Sequence, residues 1–223
     1  MISNIISIFN NPGMSIGEKI LYLAMFATCI LFSLILHECA HGWVALKCGD
    51  PTAKWMGRLT LNPLKHLDPI GTLCMLFMRI GWAKPVPVNP RNFRHYRRDY
   101  VLVSVAGIAV NTLIFLISTF MAVVAINNMK MNWVYYVFQF MIMLAQMNLS
   151  LAVFNLLPVP PLDGFKILDQ LVFRGSLNMS GQMMRYIQIG FLAVCVSGML
   201  NGLLSTVINT IFNAVFNFYI GLM

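Results

Sequence analysis

Charge is what this sequence has least of. Only 10% of its 223 residues are Asp, Glu, Lys or Arg, where a soluble domain carries about 25%. Acid is scarcer than base, with seven residues against fifteen. Such scarcity excludes a water-facing surface over most of the chain. With 59% hydrophobic residues and a mean hydropathy of +0.76, the composition is that of a membrane protein. The five cysteines (Cys29, Cys39, Cys48, Cys74, Cys195) are odd in number and form no C-x-x-C pair. They read as small buried residues and exclude a disulfide framework. Residues 1–18 contain no basic residue, so a secretory signal is not expected and the first helix should remain as an anchor. The net charge of +8 raises nucleic acid as a partner, but ten of the fifteen basic residues fall between Lys47 and Arg98. An excess confined to one inter-helix segment marks the cytoplasmic side of a membrane, so no nucleic-acid partner is expected.

What is present is a series of long uncharged runs. A crossing helix needs about 20 apolar residues. Spans are expected at about 19–47, 101–126 and 133–157, followed by a long uncharged stretch from Tyr186 to Met223. One helix over that stretch would outrun a hydrocarbon core of about 30 Å. Gly198 and Gly202 suggest a break, giving spans at about 183–200 and 202–222. Asn201, Asn209, Asn213 and Asn217 repeat at multiples of four, which predicts a bundle-facing or interfacial stripe in preference to a channel lining.

The expected fold is therefore an all-α polytopic membrane protein, a single domain over 1–223 with about five transmembrane helices. Basic residues place 48–100 and 158–185 inside the cell and the N-terminus outside. Between the first two helices, "GRLTLNPL" and "KPVPVNP" read as short β-like pieces, and "IGTLCMLFMRIGW" is too short to span. The segment 57–90 is thus expected to be re-entrant or interfacial. "RNFRHYRRDY" mixes arginine with aromatics and reads as a lipid-headgroup anchor.

Against this apolar background stands "LILHECAHGW", residues 34–43. His37 and His41 are four apart, so on a helix both imidazoles share one face. Two neutral imidazoles at that spacing can hold a divalent metal, zinc best of all. Glu38 stands one residue on, beside the metal, where it can take a proton from water. Cys39 cannot share a face with both histidines. For this composition a chance H-E-x-x-H is roughly a one-in-a-thousand event. A cap of interfacial polar residues is the plain alternative, but ionisable groups in membrane helices are costly and usually functional.

A catalytic zinc takes three protein ligands and keeps one position open. Glu18, the only other glutamate, lies at the opposite end of the first helix. The longer H-E-x-x-H-x-x-G-x-x-H pattern fails at Val44 and Lys47. His66 and His95 lie in the basic segment. Asp50 and Asp68 sit in turn signals, and Asp99 follows two arginines as a surface ion pair would. Asp163 lies in "FNLLPVPPLDGF", where Pro158, Pro160 and Pro161 prevent helix directly after an uncharged span. It is a credible third ligand on the same side as the histidines, with a plain Asp-Gly turn as the alternative.

"HECAH" on the first helix and "NLLPVPPLDG" after a later one resemble the site-2 protease family of intramembrane zinc metalloproteases, in its small bacterial-type form. "GRLTLNPLKHLDPIGTL" and "GWAKPVPVNP" are similar to segments of that subgroup, so the likeness covers most of residues 30–170. It departs from the family pattern at Ile108, where Pro often follows the glycine, and at Phe165, where a second Gly often follows Asp-Gly. The resemblance implies one catalytic zinc on His37, His41 and Asp163, with Glu38 as general base. It also implies Asn155 as a substrate-positioning or oxyanion-stabilising group, with a helix-end residue bonding backbone as the alternative. Asn111, a polar residue in mid-membrane, is a candidate supporting residue.

The implied function is hydrolysis of a peptide bond within or next to the transmembrane segment of a membrane protein. The alternative is a membrane metal-ion carrier or sensor on the same His/His/Asp site. Against transport stands Glu38, which a carrier does not need. No PDZ-like or other soluble regulatory domain is expected. Partners would be a transmembrane substrate, the lipid bilayer and, compatibly, a second copy of the chain, in the cell membrane with the site toward the cytoplasmic face.

Overall fold

A computed structural model of the chain describes residues 12–66, 68, 84–128, 131–177 and 179–223. The apolar segment 70–82, expected to be re-entrant or interfacial, lies outside them, as does Cys74.

Helix α1 runs Ile16–Lys47. It starts three residues before the sequence expectation because Ser15 and Glu18 form a capping box, in which the Glu18 carboxylate accepts the Ser15 N–H at 2.8 Å. Helix α2 runs Tyr96–Asn127. Asp99 accepts from His95 N–H at 2.8 Å and from Arg98 Nε at 3.0 Å, which fixes the first turn. The ion pair expected there forms with exposed Arg98, but the Asp99 carboxylate itself is fully buried. Helix α3 runs Asn132–Asn155 and stops before the prolines. A short helix, α4, covers Asp163–Leu171. Helices α5, Gly181–Val196, and α6, Asn201–Gly221, are separated at Gly198, whose φ of 74° continues no helix.

Four of these, α1, α2, α3 and α6, are long and apolar enough to cross a membrane. The 16 residues of α5 reach only about 24 Å, short of the core. Among the described residues there is no strand. The β-like pieces are irregular chain, tied together by Arg58 and by a bond from Lys84 N–H to His66 O at 2.8 Å.

Helix α2 is the centre of the bundle, packed on α1, α3, α4 and α6. Phe115 of α2, Ala145 and Leu149 of α3 and Phe212 of α6 bury one another. Buried Asn148 of α3 donates to buried Ser33 of α1 at 2.8 Å. At the other end Ala45 and Cys48 pack on Phe93 and Val103. Asp50, fully buried, gathers the chain there: it accepts from Asn89 N–H at 2.7 Å, Asn92 Nδ2 at 2.8 Å and the Thr52 N–H and hydroxyl. Burial raises the Asp50 carboxyl, and these donors outweigh burial and hold it below the ordinary carboxylate range. One carboxylate thereby pins the 84–92 segment to the end of α1, beside the histidines.

The asparagine stripe of α6 does not face the bundle. Asn201, Asn209, Asn213 and Asn217 are all exposed, while Phe212, Val215 and Phe216 turn inward.

Candidate metal centre

The second half of α1 carries His37 and His41, both buried. Their Nε2 atoms stand 3.0 Å apart. Asp163, on the first turn of α4, brings Oδ2 to 3.3 Å from His37 Nε2 and 3.1 Å from His41 Nε2. The three form the one group of at least three potential metal-binding side chains among the described residues. A tetrahedral ion with bonds of about 2.0–2.1 Å places its ligand atoms about 3.3 Å from one another. The triangle of donors already has that size. Asp163 Oδ2 is buried and, despite the two nearby nitrogens, takes no directed hydrogen bond. Two imidazole nitrogens and a carboxylate oxygen converging on one point suit a cation.

The surroundings fix each donor. His41 Nδ1 lies 2.7 Å from Val103 O, and since a carbonyl can only accept, that nitrogen carries the proton and leaves Nε2 free. The Asn111 amide lies 3.1 Å from His37 Nδ1. Between these contacts Gly107 faces the pair, and a Cβ there would overlap both imidazoles. Asp163 is held by Lys166, whose Nζ donates to Oδ1 at 2.9 Å. Burial raises the Asp163 carboxyl, but His37, His41 and Lys166 outweigh it and hold the group well below its ordinary value. It is therefore an anion at neutral pH, as ligation requires. Gly164 permits the placement: a Cβ would overlap the Leu156 and Leu157 carbonyls at the end of α3.

Glu38 is half-buried beside the pair, and its Oε2 accepts from Val86 N–H at 2.8 Å. Arg58 donates to the carbonyls of Lys84 and Pro85 at 2.6 and 3.0 Å, holding the same segment from the other side. Cys39 points away, toward Thr60 O at 3.3 Å. His66 also contacts Thr60 O, at 2.7 Å, and takes no part in the triangle. Asn155 ends α3, and its Nδ2 donates to Leu151 O one turn back at 3.0 Å. Asn111 is thus brought to the histidines, and Asn155 is engaged with its own helix.

Sequence reasoning did not find Lys166, Gly107 or the Val103 carbonyl. The spacing of Val103, Gly107 and Asn111, four apart twice, puts them on one stripe of α2. That stripe could have been read as the face opposing a His pair of the same spacing.

The family model for peptidase family M50 matches residues 102–198. A Bacillus subtilis protein named "Putative zinc metalloprotease YwhC" is 44% identical over 171 residues, covering 75% of this chain and 78% of that protein. The chain belongs to peptidase family M50. A likewise named Mycobacterium tuberculosis protein, Rip2, is 32% identical over 162 residues. The match covers 68% of this chain and 60% of Rip2. No solved structure matches the chain significantly. Membership makes the protein a multi-pass membrane zinc metalloprotease, in agreement with the site-2 protease resemblance of its sequence. The donor set, two imidazoles and one carboxylate, fits zinc.

Proposed function

We propose that this M50 member is an intramembrane endopeptidase that hydrolyses a peptide bond within or next to the transmembrane segment of a membrane protein. His37, His41 and Asp163 hold the zinc, and Glu38 is the general base. The observation that carries the reading is the donor triangle set in the second half of a membrane helix, with Glu38 beside it. Bound there, zinc would supply Lewis acidity, polarising a carbonyl and making water a stronger acid.

The remaining steps belong to side chains. Val86 N–H occupies Oε2 of Glu38, which leaves Oε1 to take the proton from water and deliver it to the departing amine nitrogen. Asn155 turns from Leu151 O to hold the substrate backbone as charge develops. A helical peptide bond is sterically covered, so the substrate unwinds first. A groove of about 430 Å³ beside α1, lined by Leu36, Cys39, Trp43, Leu59, Leu61 and Val110, suits an extended apolar segment. The basic 48–100 segment supports a site toward the cytoplasmic face of the cell membrane, with the N-terminus outside.

Purified wild type and Glu38→Gln, both zinc-loaded, are compared on a transmembrane substrate in detergent. Glu38→Gln is expected to keep zinc and lose about 10²–10⁴-fold in rate. Equal rates contradict the role of Glu38. Zinc flux into liposomes that survives Glu38→Ala, without cleavage by wild type, would favour a carrier.

A further inference from the structure

Each histidine of the metal centre has one partner on α2. For His41 it is the Val103 carbonyl at 2.7 Å, which can only accept and so keeps the proton on Nδ1. For His37 it is Asn111, fully buried, whose Nδ2 is placed 3.1 Å from Nδ1. Val103 and Asn111 flank Gly107 one turn to either side, so α2 presents carbonyl, gap and amide to the pair in order.

His37 can give Nε2 to a metal only when its proton sits on Nδ1. The group facing Nδ1 must then accept. An asparagine amide can meet either need, because a half turn of its terminal torsion exchanges its oxygen and nitrogen ends. Asn111 Oδ1 is buried with no donor to hold it elsewhere.

We infer that Asn111 is a positioning residue of the metal centre, its Oδ1 accepting from His37 Nδ1–H and so fixing the tautomer and ring plane that aim Nε2 at the ion. This rests on the zinc reading of the site and extends it to a second pair of contacts. The two histidines are then oriented by the same chemistry from two sources, a main-chain carbonyl for His41 and a side-chain carbonyl for His37. Ring orientation by such an acceptor governs metal affinity as well as activity.

The test is the zinc dissociation constant of wild type, Asn111→Leu and Asn111→Asp by chelator competition in detergent, with the melting temperature of each. Leucine keeps the volume and removes the acceptor, so Asn111→Leu should bind zinc about 10–100-fold more weakly. Aspartate keeps the acceptor and cannot donate, so Asn111→Asp should bind as tightly as wild type or tighter. Affinity of Asn111→Leu within about threefold of wild type overturns the inference, as does an equal loss in both variants. A measurement without substitution guards against misfolding: ¹⁵N-histidine spectra of zinc-loaded wild type should show His37 protonated at Nδ1 and ligated at Nε2. The reverse assignment overturns the inference while leaving the zinc site standing. Wild type that takes up no zinc contradicts the zinc reading and the role of Asn111 with it.

Discussion

Two sets of asparagines divide this bundle. Asn111 and Asn148 are fully buried between α1, α2 and α3, whereas Asn209, Asn213 and Asn217 are exposed along α6. Both sets sit within long uncharged runs of their helices. The buried ones meet a side chain from another helix, His37 for Asn111 and Ser33 for Asn148. What separates the sets is the neighbour, which local sequence does not encode. Inside hydrocarbon the outward face of a helix can be as apolar as the inward face, so the polarity pattern that orients a helix in water loses its meaning. The repeat of four along α6 revealed a stripe and left its direction open.

The largest effect is expected at Gly107. Its hydrogen is all the room the histidines leave, and Gly107→Ala should weaken zinc binding more than tenfold and cost about 1–3 kcal/mol of stability through overpacking. Zinc titration and thermal melting read both effects, and wild-type behaviour would mean that α2 does not press on the imidazoles. A smaller effect is expected at Asn148. Replacing it with leucine removes the bond to Ser33, worth about 0.6 kcal/mol on average and at most about 1.7 for polar contacts between membrane helices. Asn213→Leu on the exposed stripe should change the stability of the single chain by less than about 0.5 kcal/mol. Unfolding in mixed detergent measures both, and a larger loss at Asn213 than at Asn148 would reverse the contrast.

The site was more legible than its support. His37, Glu38 and His41 are local, so helical periodicity alone places them together. Asp163, far along the chain, emerged by elimination, which works only because acidic residues are few. Membrane scarcity of charge thus made a long-range contact readable. Asn111 stood out as polar in mid-membrane, but its pairing with His37 depends on how α1 and α2 cross. Asp50 looked like a turn and gathers two segments, and Asp99 makes the expected ion pair with exposed Arg98 from a buried carboxylate. In both cases the short-range signal was correct about the backbone and silent about burial. The Ser15–Glu18 capping box was readable three residues apart, yet hydrophobicity drew the expected start of α1 to Lys19. The 16 residues of α5 fell short because the break at Gly198 consumes residues that hydropathy had counted as helix.

A histidine pair on α1 and a carboxylate on α4 together complete the proposed zinc site. Zinc content of purified Asp163→Ala, measured by elemental analysis beside wild type, tests it most directly. About one zinc per wild-type chain and nearly none in the variant are expected. Zinc retained at wild-type level by Asp163→Ala would contradict it.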